Sequence, residues 1–173
     1  MKLPNHTALK EWSNVIDALG RGDQAILIRK GGIADPEFGV EAGRFYLYPT
    51  YFHQGESDAR ASVAVGHWCE VARTWSVRDL QLLQRLETMV VMPRATLETR
   101  YRFRPDQALH IIGVRTFALL KPVEVAFRPE YAGCLSWISV EDEIDIDGSR
   151  PVLSEATLQM KFAEIDSVLT ISA

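Results

Sequence analysis

The chain of 173 residues is 47% hydrophobic, 24% charged and 9% aromatic, average values for a soluble globular domain that exclude disordered, collagenous and low-complexity classes. Area scaling gives roughly 8,500 Å² exposed when folded against about 28,000 Å² unfolded, so about 70% of the surface can be buried, and one domain spanning the chain is expected. Nineteen Lys and Arg against 23 Asp and Glu leave a net charge of −4, which argues against whole-molecule attraction to nucleic acid or anionic membranes and leaves room for a local basic face.

The order of elements is read from periodicity. Ala8, Leu9, Trp12, Val15, Ile16 and Leu19 follow a 3.6-residue period and predict an amphipathic helix, with Gly20 at its left-handed C-terminal position. AILIRK, residues 25 to 30, predicts a short strand closed by a Gly31-Gly32 turn. Residues 33 to 44 read as a loop or irregular hairpin arm. Phe45 to Tyr48 is strand-like until Pro49, and PTYFHQGESD is a polar and aromatic loop. Residues 61 to 75 favour a strand and leave a helix open; alternation puts Val63, Val65, His67, Cys69, Val71 and Arg73 on one face.

Arg78 to Val91 carries a helical stripe of Leu80, Leu83, Leu86 and Val90 that ends at Pro93, and residues 96 to 103 form a second short helix. LHIIGVRTFALL, residues 109 to 120, is β-branched and aromatic enough to be the central strand, with PVEVAF as a separate hairpin partner or edge strand. CLSWISV, residues 134 to 140, is another strand. The acidic VEDEIDIDG stretch turns the chain, and Ser154 caps a closing helix with Leu158, Phe162, Ile165 and Leu169 on its stripe. Grouped rather than alternating strands indicate an α+β domain with a mixed or mostly antiparallel sheet, able to curl into a partial barrel. An N-terminal helix, a central helical pair and a C-terminal helix flank it.

Four words in order, ALKEW at 8 to 12, LIRKGGI at 27 to 33, FYLYPTYFHQ at 45 to 54 and RPEYAGCLSWISV at 128 to 140, make the chain resemble the bacterial family called domain of unknown function 1802. The resemblance runs from residue 8 to the helix after PVLS. It implies a stand-alone cytosolic domain with no assigned reaction. In some bacterial proteins such a domain accompanies a restriction-endonuclease-like catalytic domain, which implies a nucleic-acid-processing context and a partner nuclease. That association does not say whether the domain cuts, binds or scaffolds.

Candidate residues fall in four groups. Arg29 and Lys30 at a strand end, followed by the amides of Gly31 and Gly32, suit a phosphate, although the ending that defines a P-loop is absent and a solvated hairpin turn explains them as well. Tyr51, His53 and Gln54 share a loop in which His53 can serve as base, Gln54 as orienter and Tyr51 as a stacking surface; the alternative is an aromatic plug. Glu130 and Tyr131 stand in the RPEYAGC turn, with Glu130 a possible acid-base partner of His53. Residues 94 to 121 hold six bases and two acids, +4, with Arg100 among arginines interleaved by Tyr101 and Phe103; residues 137 to 173 hold eight acids and two bases, −6. An internal salt-bridge network is the competing explanation for those arginines.

His67 and Cys69 form a single close pair, short of the paired spacings of a zinc site, so no metal is assigned and no cofactor is identifiable. A Glu-x-Lys strand of a restriction-type nuclease is missing. The leading expectation is binding of a phosphate-bearing small molecule or nucleic acid through Arg29, Lys30, Tyr51, His53 and Gln54. The alternatives are an acid-base enzyme on a nucleotide-like substrate using His53 and Glu130, or a non-catalytic interaction module. No 18-residue apolar run, no apolar leader after Met1 and only two cysteines point to the cytoplasm and away from membranes.

Overall fold

The computed structural model describes residues 2–3, 6–30, 39–51 and 60–170. It is a single α+β domain in which a mostly antiparallel sheet carries four α-helices. The elements run β1 Thr7–Trp12, α1 Ser13–Arg21, β2 Ile26–Arg29, β3 Arg44–Thr50, β4 Ser62–Val77, α2 Leu80–Arg85, α3 Arg94–Arg102, β5 Leu109–Ala126, β6 Trp137–Ser139, β7 Arg150–Pro151 and α4 Glu155–Thr170. Short 3₁₀ turns lie at Glu87–Met89 and Pro129–Tyr131. Strand order is β2-β5-β4-β3-β1-β6 with β7 against β5, and β1 with β3 is the one parallel pair among the described strands.

The sheet is buried on both faces, and alternation along each strand separates two cores. Leu9, Phe45, Leu47 and Cys69 point to the core covered by α4, α2 and α3 through Leu158, Phe162, Leu83 and Leu97. Ala8, Tyr46, Tyr48 and Trp68 point to a second core closed by Tyr131, Ile138, Ile144 and Ile146. The closing helix begins as its sequence predicts, with Ser154 Oγ accepting from the Thr157 N–H at 3.1 Å.

Six expectations are corrected. Residues 8 to 12 are strand, not helix. Ala8 and Leu9 are both fully buried on opposite faces, so their adjacency reflects a strand between β3 and β6, and the helical period belongs only to Val15, Ile16 and Leu19. The helix then runs to Arg21 and its left-handed cap is Gly22, at φ 77°. Gly20 is instead where the ring of His67 comes close, 2.6 Å from where a Cβ would sit.

Pro49 does not end β3, because β3 pairs with β4 over Arg44–Tyr46 and no ladder bond to β4 is needed at Pro49. PVEVAF is no separate partner strand but continues β5 along β4. The register passes from Val65↔Val123 to His67↔Ala118, so Gly66 alone opposes Leu119–Pro122, and Pro122 interrupts no ladder bond. This break turns β4 over, with Val63 and Val65 in the second core and Cys69 and Val71 in the first, so they do not share a face. β5 lies one strand in from the β2 edge rather than at the centre.

Candidate nucleic-acid interface at the rim of the sheet

The C-terminal ends of β1 and β3 lie side by side, with Glu11 opposite Pro49 and Trp12 opposite Thr50. Strand alternation sends neighbouring residues of β1 to opposite faces. Glu11 shares the face of Leu9, on the side of the first core, where its carboxylate accepts from the Trp12 N–H at 2.8 Å and from Arg29 Nη1 at 3.1 Å. The Glu11 side chain is 1% exposed and that of Arg29 11%, so the pair is withdrawn from water. Arg100, from α3, lies over the Trp12 ring at 5.3 Å and donates to the Ile28 carbonyl at 2.6 Å. Burial pulls its guanidinium down to about 10, with Arg29 acting in the same sense and Glu11 opposing. The nearby Lys30 donates to the Tyr101 carbonyl at 2.6 Å, and burial, reinforced by Arg78, lowers its ammonium pKa.

Lys10 faces the other way. Its ammonium donates to the carbonyls of Tyr131 at 2.5 Å and Gly133 at 2.7 Å, tying the RPEYAGC turn to β1. Between that turn and the end of β3 opens a cleft of about 90 Å³, lined by Lys10, Tyr48, Thr50, Tyr51, Arg60 and Tyr131 among others. At its mouth the Arg60 guanidinium lies 3.8 Å over the Tyr51 ring. Tyr48 and Tyr131 meet edge to face at 5.7 Å behind it, and the Tyr131 hydroxyl accepts from the Glu141 N–H.

Three of the segments singled out in the sequence therefore start from one rim: β2 ends at Arg29 beside Glu11, β3 ends at Thr50 just before Tyr51, and the RPEYAGC turn is held by Lys10. Their side chains are used differently. Arg29, Lys30 and Arg100 hold backbone and carboxylate groups of the protein itself, whereas Tyr51 and Tyr131 line the cleft. Glu130 is exposed on its 3₁₀ turn and is absent from the cleft lining. Gly31, Gly32, His53 and Gln54 lie outside the described residues.

Sequence reasoning missed Glu11, Lys10 and Arg60. The first two were assigned to a helix; read as a strand, their alternation places them on opposite faces. No group of three or more His, Cys, Asp or Glu side chains able to hold a metal occurs among the described residues. No helix among them is long and apolar enough to cross a membrane.

The fold has solved relatives. It is similar to the crystal structure of ASCH from Zymomonas mobilis, at 12% identity and a TM-score of 0.52, covering 91% of this chain and 93% of that one. A point mutant of the same Zymomonas mobilis protein matches at 11% identity and TM-score 0.52 over 94% of this chain and 99% of that one. At such identities the likeness is one of architecture alone, that of an α+β domain. The model of the family described as "Domain of unknown function (DUF1802)" matches residues 8–164, and the chain belongs to that family. No curated protein matches the sequence.

Proposed function

We propose that this domain binds a phosphate-bearing ligand, with nucleic acid as its class, at the cleft between β3 and the RPEYAGC turn. The observation that carries the reading is the exposed Arg60 guanidinium stacked on Tyr51 at the cleft mouth. A cation supplies the phosphate contact and an aromatic face the base contact, the pairing used by surfaces that hold nucleic acid without reading sequence. The cleft, about 90 Å³, is well below the 300–1,000 Å³ of pockets that enclose a small molecule, which favours a ligand resting one group in it. Arg29, Lys30 and Arg100 support the rim rather than the ligand. A nucleic-acid ligand also agrees with the nuclease association that the family resemblance implies. The acid-base alternative gains no support from the cleft, whose lining lacks Glu130.

The reading is tested by fluorescence anisotropy with a labelled twelve-nucleotide oligothymidylate at low and moderate salt. Binding is expected at low salt, weakening with a log-log slope of about −0.7 per phosphate contacted. Tyr51→Ala and Arg60→Ala are each expected to weaken it about tenfold with the melting temperature unchanged, since base stacking on one ring is of that order. Absence of binding at low salt, or affinity that does not respond to salt, would overturn the proposal.

A further inference from the structure

One wall of the cleft is made by Ala132 and Gly133, in an exposed stretch, residues 132–135, between the buried Tyr131 and Ser136. Packing does little to hold it. Gly133 stands at φ 79°, and a Cβ added there would meet no atom within 4 Å. The hydrogen bonds that tie the stretch to β1 come from one residue. Lys10 donates its backbone N–H to the Ser136 carbonyl at 2.8 Å and its ammonium to the carbonyls of Tyr131 at 2.5 Å and Gly133 at 2.7 Å. Both ends and the middle of the wall are thus fastened to a single position of β1. Two other polar contacts of the turn, Arg128 to Glu141 at 3.1 Å and the Glu141 N–H to the Tyr131 hydroxyl at 2.9 Å, join it to the chain just beyond β6.

Lys10 lines the cleft together with Arg60, and no carboxylate stands among the described lining residues. A lysine so placed has the look of a phosphate contact. Its ammonium is committed instead to two carbonyl oxygens, in bonds that its charge makes stronger than neutral ones. The same bonds cover the negative ends of two carbonyl dipoles at the wall, which left bare would repel an anion.

We infer that Lys10 is a positioning residue of the cleft: it sets the affinity for an anionic strand by holding and covering the wall at residues 131–136, and it does not touch the phosphates. This rests on the nucleic-acid reading of the cleft and deepens it by giving the two cations of the lining different work, Arg60 toward the ligand and Lys10 toward the protein.

The test measures binding of the labelled twelve-nucleotide oligothymidylate to the full chain and to Lys10→Met and Lys10→Arg. The motion of the wall is followed in parallel by a nitroxide on the native Cys134, which is exposed while Cys69 is buried. Lys10→Met is expected to weaken binding about tenfold, the scale of lost hydrogen bonds from a charged donor, and to mobilise the nitroxide. The salt slope should stay unchanged, because no phosphate contact is removed. Lys10→Arg, which can donate to both carbonyls, should restore the affinity to within about threefold and immobilise the label again. Lys10→Gln keeps a donor without the charge and guards against a Lys10→Met chain that does not fold; it is expected to bind at least about threefold more weakly, again with the slope unchanged. A slope reduced in magnitude by about 0.7 with the nitroxide unmoved would make Lys10 a phosphate contact and overturn the inference. Affinity untouched in Lys10→Met, or lost equally in Lys10→Met and Lys10→Arg, would also overturn it, and each of these results leaves the cleft reading standing. No binding by the parent chain would overturn both.

Discussion

Cys69 and His67 show how two residues on one strand acquire different chemistry from their surroundings. Cys69 is fully buried, its sulfur 3.5 Å from the Thr116 hydroxyl oxygen, and burial pushes its thiol up to about 12. His67 is half-buried against Gly20, and burial holds its imidazole pKa below the ordinary value, opposed by Asp17. Cys134 is exposed. Well below pH 9 the Cys69 thiol is neutral in both folded and unfolded chains. As pH rises from about 9 towards 12 the unfolded chain ionises first, so stability falls across that window. A thiol reagent at pH 8 is therefore expected to modify one cysteine rapidly in the native protein and the second only after denaturant. Two equally fast thiols would contradict the buried placement of Cys69. The sequence placed His67 and Cys69 on a half-buried strand; full burial of Cys69 could not be read from it, since it depends on which helices cover that face.

Among the elements, those whose pattern is purely local are the ones the sequence described well. The stripe of α4 and its Ser154 cap, and the short strand β2, stand close to their predicted bounds. β1 was mistaken because a strand buried on both faces lacks the period-2 signature, and Ala8, Leu9 and Trp12 fit a helix by accident of spacing. The turn-over of β4 had a local sign in Gly66, since glycine inside a strand often marks a bulge. Gly113, on β5, has a different reason to be glycine. A Cβ there would meet Phe162 Cε1 and Trp75 Cζ3, each at 2.9 Å, and Phe162 is fully buried in α4. The missing side chain is what lets α4 lie against the β4–β5 pair. Gly113→Ala is expected to cost about 1–3 kcal/mol in urea unfolding, the usual penalty of overpacking a core. The added cost should shrink when Phe162→Leu is made in the same chain, because the two changes share one space. Strict additivity would show that the contact is not the cause.

For the whole molecule, the −4 net charge conceals local pairing rather than two opposed faces. Arg115, from the basic segment, pairs with Glu155 of the acidic one, while Arg94 is held by Glu98 within α3. Arg29 and Arg100 turn inward on Glu11, and with them β1, β2 and α3 are drawn together although β1 and β2 are not paired in the sheet. The cluster thus closes the rim from which the cleft opens. A buried ionic group of this kind is costly to break and not always favourable to have: removing one partner strands the other charges, whereas replacing all with apolar side chains removes the desolvation cost as well. Glu11→Ala is accordingly expected to lose about 3–5 kcal/mol, leaving two guanidinium groups without their carboxylate. The triple variant Glu11→Leu, Arg29→Met, Arg100→Met should recover most of that loss and can equal the parent in stability. Chemical denaturation of the parent, the single and the triple variants decides it. If the single variant loses less than about 1 kcal/mol, the range of an exposed pair, water already reaches Glu11 and the cluster does not hold the rim. If the triple is no more stable than the single, the loss comes from geometry that only these hydrogen bonds provide, and the arginines shape the rim by direction rather than by charge.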